Sequence, residues 1–250
     1  MPDLKEPQRK LDAAVAPRPT RRYRAAAFQF YVLMTSIAFV VLAAGARLFP
    51  YFPIDLKITR AVQLYHGDIF DRVMFGMSWI GFLPQSLAFG LVPLVLLFLA
   101  GLRWEAVVGL VAAAAAGVDA VVKIIVHRPR PSIDLVKVLS ELPSSAFPSG
   151  HVLTFTATCG YFVFLAHTLL KPSWKRTALL VVAPVLMLMM GLSRIYQGQH
   201  WFSDVMGAYL LGSLWLALTI RVYRWGKPRF FVHQPVAPEA PKATGDRAPA

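Results

Sequence analysis

The chain has 250 residues, of which 56% are hydrophobic and only 16% charged, and its mean hydropathy is +0.53. A soluble domain of this size carries charge on about a quarter of its residues, so the composition excludes an ordinary soluble protein and indicates a one-domain polytopic membrane protein. The net charge of +13 does not indicate nucleic-acid binding, because most basic residues flank apolar segments. A single cysteine, Cys159, excludes an intrachain disulfide and a cysteine-rich metal site.

The chain divides into a basic arm, a membrane domain and a tail. Residues 1–24 are polar and basic and predict a disordered N-terminal arm, residues 25–225 form the membrane domain, and the Pro/Ala-rich residues 226–250 predict a disordered tail. The first apolar run, Phe28 to Phe49, is interpreted as a retained span. Its Ala44-Gly45-Ala46 end also resembles a signal-peptidase site, which leaves a cleaved signal as the alternative.

The apolar segments predict an all-α bundle of six transmembrane helices with short interfacial helices. After the first span, the predicted spans are 81–101, 105–126, 149–170, 177–192 and 202–222. Residues 51–80 are too polar to span a membrane and predict short amphipathic helices at its interface. The charged residues in that stretch are Asp55, Lys57, Arg60, Asp68, Asp71 and Arg72.

Basic clusters predict the orientation of these spans. If the N-terminal arm is cytoplasmic, Arg103, the 171–176 loop and the C-terminal basic cluster are cytoplasmic too, as the positive-inside rule requires. This predicts a multi-pass inner-membrane protein with both termini in the cytoplasm and the 127–148 loop facing the periplasm or exterior. The basic residues left on that outer side require a local explanation, and they are Lys123, Arg128, Arg130 and Arg194.

Three polar stretches reach the outer end of the predicted bundle, at residues 123–131, 147–151 and 193–204. Ionisable groups at membrane depth are costly and are therefore functional candidates. Arginine forks bind phosphate oxygens at two points, and a Ser-Gly helix start presents free backbone N–H groups and the positive end of the helix dipole. Together the cations, histidines and helix start predict a phosphate-binding site.

Two histidines permit a two-step displacement at that phosphate. His200 and Asp204 share a face if the segment is helical, so the carboxylate can accept one ring N–H and leave the other nitrogen as the nucleophile. His151 can protonate the leaving oxygen and then activate water. Neither a metal nor another cofactor is expected, because cations can offset the transition-state charge and no convincing carboxylate cluster is present. Those cations are Lys123, Arg130 and Arg194.

The three stretches resemble the motifs of the type 2 phosphatidic acid phosphatase (PAP2) family. The family pattern is Lys, six residues, Arg-Pro; then Pro-Ser-Gly-His; then Ser-Arg, five residues, His, three residues, Asp. Here it is matched by Lys123 to Arg130-Pro131, by Pro148-Ser149-Gly150-His151, and by Ser193-Arg194 to His200 to Asp204, and the resemblance covers residues 28–222. The resemblance implies a nucleophile at His200, an acid–base at His151, and phosphate binding by Lys123, Arg130, Ser149, Gly150 and Arg194.

The same resemblance implies a membrane phosphatase that hydrolyses a lipid phosphate monoester or diphosphate through a phosphohistidine. Undecaprenyl diphosphate, phosphatidic acid, phosphatidylglycerophosphate and lipid A phosphate are the candidate substrates, and the outward site favours the first or a broad range. The expected partners are this substrate and membrane lipids, not nucleic acid, and no oligomeric state is predicted. Two alternatives remain open, a lipid-linked phosphotransferase and an inactive lipid-binding relative. The vanadate-dependent haloperoxidases share these motifs but are soluble, so six spans argue against them.

Two residues beside the motifs have structural interpretations. Asp119 lies one helical turn before Lys123 and is interpreted as the ion-pair partner of that lysine. Arg128 is not a motif residue, and it is interpreted as a contact to phosphate or to lipid headgroups.

Overall fold

The computed structural model describes residues 18–140 and 142–230, with side chains from Tyr23 onward. Within these ranges the chain is helical and contains no β-strand, as the sequence predicts. The helices are α1 (Arg18–Leu48), α2 (Pro53–Leu64), α3 (Asp68–Ile80), α4 (Gln85–Leu99), α5 (Arg103–Ala113), α6 (Ala115–Val126), α7 (Gly150–Leu169), α8 (Trp174–Tyr196) and α9 (Phe202–Phe230).

Five helical segments are long and apolar enough to cross a membrane, and α3 with α4 makes a sixth crossing if the two are counted together. Helices α3 and α4 meet at a 65° bend across a short break. Helices α5 and α6 form one segment, Arg103–Val126. The predicted all-α membrane bundle is therefore confirmed, and the predicted second crossing corresponds to this bent pair when its two helices are counted as one span.

The second crossing differs from its prediction. Helix α4 has 15 residues, and at 1.5 Å per residue it extends about 22 Å, which is less than the roughly 30 Å hydrocarbon core. Helix α3 lies in the stretch predicted to be interfacial, yet it buries Met74, Met77 and Ser78 and packs against α8. Composition alone did not predict this packing, because Asp68 and Asp71 make the first turn polar while the second half of the helix is apolar.

The boundaries of the predicted disordered ends also change. Helix α1 begins at Arg18, so residues 18–24 are helical and continue the first span. Helix α9 ends at Phe230, so residues 226–230 belong to it and not to the tail. Residues 1–17 and 231–250 lie outside the described part of the chain.

Helices α7 and α9 pack against each other at the centre of the bundle, and α8, α1 and α5 surround them. The core near the predicted site joins Leu153 and Phe155 of α7 to Met190 of α8 and Val205 of α9. Large apolar side chains on the outer faces of α1, α4 and α8 remain exposed, as expected of surfaces that contact lipid. The short helix α2 packs against α8 and α9, which brings residues from outside the spans to the end of the bundle.

Close packing of α7 and α9 leads to the first prediction. A Cβ at Gly212 of α9 would lie 3.1 Å from the carbonyl oxygen of Leu153 and 3.0 Å from Cβ of Thr156. Because backbone cannot move aside as a flexible side chain can, Gly212→Leu should force the helices apart and cost about 1–3 kcal/mol. We expect a thermal unfolding midpoint several degrees lower in detergent, with Gly76→Leu as the control.

That control substitutes a glycine of α3 that has open space around its Cβ position. An equal loss of thermal stability in Gly76→Leu and Gly212→Leu would show that the contact between α7 and α9 is not what the glycine serves.

Candidate active site

The predicted site residues lie at one end of the bundle, where α6 and α8 end and α7 and α9 begin. Lys123 is in the last turn of α6, Arg194 is in the last turn of α8, and His200 lies in the turn between α8 and α9. The 127–149 segment crosses this end and carries Arg130. The start of α7 contributes Ser149, Gly150 and His151, and the first turn of α9 contributes Asp204.

The imidazole of His200 is almost fully buried and has a defined partner at each nitrogen. Nδ1 lies 2.8 Å from the carbonyl oxygen of Ala146, which can only accept a hydrogen bond. Nε2 lies 3.2 Å from Nη1 of Arg130, which can only donate. These partners place the proton on Nδ1 and leave the lone pair on Nε2, so Nε2 is the ring atom that could act as the predicted nucleophile.

Asp204 does not hold His200 in the predicted way. Its Oδ2 lies 3.8 Å from Nδ1, too far for a hydrogen bond, and instead accepts the backbone N–H of Trp201 at 2.8 Å. Its other oxygen accepts a hydrogen bond from Nη1 of Arg128. The carboxylate is therefore a charge close to the imidazole, whereas the Ala146 carbonyl orients the ring.

The sequence interpretation of Arg128 as a contact to phosphate or to lipid headgroups is wrong. Its side chain is fully buried and contacts neither solvent nor lipid headgroups. It forms salt bridges with Asp55 of α2 and Asp204 of α9. The positive charge of Arg128 is therefore compensated inside the protein.

Arg130 is held by backbone carbonyl groups. Its Nε donates to the carbonyl of Ser144 at 2.7 Å, and its Nη1 donates to the carbonyl of Gln199 at 2.6 Å as well as approaching His200. Burial lowers the pKa of Arg130 from its ordinary value, and the negative charge of Asp204 opposes that shift. The guanidinium is thus fixed beside His200, where it could contact an oxygen of a bound phosphate.

The pKa of His200 is lowered well below its ordinary value, chiefly because burial disfavours the charged ring. The positive charges of Arg130, Arg194 and Lys123 lower it further. The hydrogen bond to the Ala146 carbonyl acts in the opposite direction. His200 is therefore neutral at physiological pH, which a nucleophilic imidazole requires.

Several buried polar atoms near this ring have no hydrogen-bond partner within the described part of the chain. They are Oγ of Ser149, Nε and Nη2 of Arg194, and Nε2 of His151. Arg194 is fully buried, and its Nη1 donates to the hydroxyl of Ser78 in α3. Leaving buried polar groups unpaired costs free energy. A phosphate, which accepts several hydrogen bonds at once, matches this set of groups.

Lys123 forms the expected ion pair with Asp119, with Nζ 2.7 Å from Oδ2. That pairing confirms the interpretation of Asp119. A Cβ at Gly150 would overlap the same carboxylate, so the close approach that glycine permits here is to Asp119. Phosphate binding by Gly150 itself remains a prediction that concerns its backbone N–H.

Phe82 was not identified from the sequence. It lies in the break between α3 and α4, with its ring centroid 5.0 Å from that of His151 and 5.1 Å from Cζ of Arg194. Beside it, Gly81 has no room for a Cβ because the imidazole of His151 occupies that space. The helix-breaking residues Gly81 and Pro84, in an otherwise apolar segment, were the sequence signal for the break that carries Phe82.

A cavity of about 430 Å³ extends from the site between α4, α5–α6 and α7. Lys123, Asp119 and His151 line its polar end. The rest is mainly apolar or small, including Leu87, Gly90, Leu91, Ala113, Ala116 and Phe155. The cavity therefore joins the cationic site to an apolar cleft between helices.

The described residues contain no group of three or more His, Cys, Asp or Glu side chains that could hold a metal ion. The donor set is dominated by guanidinium, ammonium and hydroxyl groups, which suit an anion and not a metal cation. The pairing of each acidic side chain near the site with a lysine or arginine agrees with this.

Comparisons with known proteins agree with the geometry. The family model of the PAP2 superfamily matches residues 104–228. Phosphatidylglycerophosphatase B of Bacillus subtilis (strain 168) is 31% identical over 188 residues, which cover 70% of this chain and 86% of that protein.

Two solved structures share the fold. The transmembrane PAP2-type phosphatidylglycerolphosphate phosphatase of Bacillus subtilis matches with a TM-score of 0.68 at 24% identity, over 80% of this chain and 99% of that one. LpxE of Aquifex aeolicus matches with a TM-score of 0.50 at 21% identity, over 68% of this chain and 96% of that one.

The unpaired groups of Arg194 generate a prediction about anion binding. Hydrogen bonds to charged groups contribute roughly 1.5–3 kcal/mol each, so Arg194→Met should weaken binding of inorganic phosphate by at least about tenfold. Isothermal titration calorimetry of the purified protein in detergent measures this. Arg221→Met, at an exposed position near the other end of α9, is the matched control. Unchanged phosphate affinity in Arg194→Met would show that the anion binds elsewhere.

Proposed function

The chain belongs to the PAP2 superfamily, and from that membership and the site geometry we propose that it hydrolyses a lipid phosphate through a phosphohistidine on His200. It is a multi-pass membrane phosphatase, a hydrolase of phosphoric esters. The observation that carries the proposed mechanism is the imidazole of His200, unprotonated at Nε2 and adjacent to Arg130, beside buried polar groups that have no hydrogen-bond partner among the described residues.

In the first step, Nε2 of His200 attacks phosphorus in line with the leaving oxygen. The P–O bond to the lipid breaks as the P–N bond forms. His151 gives its proton to the departing oxygen, which leaves as the lipid alcohol, or as the lipid monophosphate from a diphosphate. Charge on the remaining phosphoryl oxygens is stabilised by Lys123, Arg130, Arg194 and the Ser149–Gly150 helix start.

In the second step, water hydrolyses the phosphohistidine. His151, now neutral, takes a proton from the water as its oxygen attacks phosphorus, and the P–N bond breaks to restore His200. Inorganic phosphate leaves. Asp204 lies 3.8 Å from Nδ1 and is bound to Arg128, so it borders the phosphohistidine ring without accepting the ring proton.

The cavity supports a lipid as the substrate. Its apolar part lies between α4, α5–α6 and α7, so acyl or prenyl chains can occupy the cleft while the headgroup reaches Lys123 and His151. Because the relative at 31% identity is a phosphatidylglycerophosphatase by name, phosphatidylglycerophosphate is the first substrate to test. Undecaprenyl diphosphate, favoured from the sequence alone, is the second.

The proposed topology places both termini in the cytoplasm and the site at the outer face of the inner membrane. The positions of Arg103, the 171–176 loop and the basic end of α9 support it. Retention of the first span is supported by its packing, because Phe39 of α1 stacks on buried Phe147 with centroids 5.9 Å apart. Removal of α1 would expose Phe147 and the α9 face that α1 covers.

The proposed nucleophile is tested with His200→Ala. We expect at least about a thousandfold loss of phosphate release, because nucleophile and leaving-group chemistry depend on this ring. The assay uses purified protein and a panel of phosphatidylglycerophosphate, phosphatidic acid, undecaprenyl diphosphate and lipid A phosphate. His167→Ala, which removes an exposed histidine near the end of α7, is the control and should retain activity.

Acid-labile and base-stable phosphate should be trapped on wild-type protein but not on His200→Ala. Activity should persist in EDTA, and a strict magnesium requirement would contradict the metal-free mechanism. With an alcohol acceptor present, phosphoryl transfer to the acceptor would establish the phosphotransferase alternative. Failure of the wild type on every lipid, with phosphate binding intact, would favour the inactive lipid-binding alternative.

The topology is tested by cysteine labelling. Ile133 is an exposed residue of the 127–149 segment, and native Cys159 is buried and provides little background. Ile133→Cys should react with an impermeant maleimide in intact spheroplasts. Trp174→Cys, at an exposed residue on the opposite side, should react only after lysis. The reverse pattern of labelling would invert the proposed orientation.

A further inference from the structure

A buried network of three charged side chains lies behind His200. Nη2 of Arg128 is 2.9 Å from Oδ2 of Asp55, and Nη1 of the same guanidinium binds Asp204. All three side chains are fully buried. The network therefore joins the short helix α2, the 127–149 segment and the first turn of α9, and Asp55 lies outside the residues that the family model matches.

Asp55 and Arg128 are held by several further contacts. Asp55 accepts the N–H and the hydroxyl of Ser203, both at 2.7 Å, and the N–H of Phe52 at 2.9 Å. The Phe52 ring lies under the Arg128 guanidinium, 5.1 Å from its centroid. Buried ions are costly to desolvate and are retained where their geometry serves a purpose. This geometry is arranged around the carboxylate of Asp204.

The network determines what Asp204 can do for His200. Arg128 and the N–H of Trp201 occupy its two oxygens, so Nδ1 of His200 donates to Ala146 and not to the carboxylate. We propose that Arg128, anchored by Asp55, is a positioning residue that keeps the Asp204 carboxylate from accepting a hydrogen bond from Nδ1 of His200 and from favouring the protonated ring, and so helps to hold His200 as a neutral nucleophile. This inference rests on the proposed phosphohistidine mechanism.

Several charged groups face His200, and Arg128 is the one that forms an ion pair with the nearby Asp204 carboxylate. Arg130 from the 127–149 segment, Arg194 from α8 and Lys123 from α6 all oppose protonation of the ring. His151 faces the same site from α7. Asp119 of α6 is paired with Lys123. Among the described residues, Asp204 is the carboxylate within ion-pair distance of His200. Arg128 offsets that carboxylate and thereby keeps it from favouring the imidazolium.

The sign of the expected effect follows directly. Without Arg128, the Asp204 carboxylate is free to attract the Nδ1 proton, and the pKa of His200 rises. A raised pKa means that the ring is protonated, and inactive as a nucleophile, at a higher pH. The acid limb of the profile of kcat/KM against pH, which reports the free enzyme, then moves to higher pH.

The test is the double variant Asp55→Asn with Arg128→Gln. It removes one negative and one positive charge, so the net buried charge is unchanged while Asp204 loses its cation. We expect the acid limb of kcat/KM to move up by about one pH unit or more, which is tenfold in kcat/KM at a fixed pH on that limb. The same lipid phosphate is used throughout, so its own ionisation contributes equally to every profile.

Asp55→Asn alone is the matched control. It disturbs the same network, but Arg128 stays on Asp204, so the acid limb should remain where it is in the wild type. An equal shift in the control and the double variant, or an unmoved limb in the double variant, overturns the inference. If the double variant fails to fold, Arg128→Lys replaces it, because a shorter side chain with a single nitrogen lacks the fork that contacts Asp55 through Nη2 and Asp204 through Nη1.

Arg128→Lys should also move the acid limb upward, and an unmoved limb in that folded variant overturns the inference. The two proposals fail separately. A wild type without activity on any lipid phosphate, or one whose phosphoryl group is trapped on a residue other than His200, removes the proposed function. If the wild type forms a phosphohistidine but the acid limb of kcat/KM is unmoved in the variants, only the proposed role of Asp55 and Arg128 is contradicted.

Discussion

Compensation of buried charge is the constraint on which the end of this bundle depends. The proposed function requires three cations to remain available for a phosphate, while Arg128 must be neutralised because it is buried away from water. The fold meets both demands by giving Arg128 two carboxylates and leaving Nε and Nη2 of Arg194 without partners among the described residues. Affinity for an anion is thus built from groups whose own hydrogen bonds are incomplete.

The elements outside the central helices hold this arrangement in place. Helix α2 supplies Asp55 to Arg128, and α3 supplies Ser78 to Arg194. The break between α3 and α4 places Phe82 against both His151 and Arg194. Because these contacts come from the bent pair of helices α3 and α4, a motion of that pair would reach His151 and Arg194 together, and His151 lines the polar end of the cavity.

Much of the site could be predicted because its residues are constrained chemically wherever they lie in the chain. An imidazole, several cations and a Ser-Gly helix start at the ends of apolar segments have few other uses. The ion pair of Asp119 with Lys123 was predictable because it is local, one turn apart on one helix. Arg128 was not, since its partners Asp55 and Asp204 lie far from it in sequence and only packing brings them within reach.

The sequence by itself determined the membrane location, the all-α class and the residue types of the proposed phosphate site, because hydropathy and motif spacing are properties of contiguous residues. Tertiary structure alone decided which nitrogen of His200 is free, since that depends on Ala146 and Arg130 approaching from another segment. It also decided that Asp204 binds Arg128 directly and lies farther from His200. A four-residue spacing permits a carboxylate to reach an imidazole, but the contact forms only if no stronger partner is packed closer.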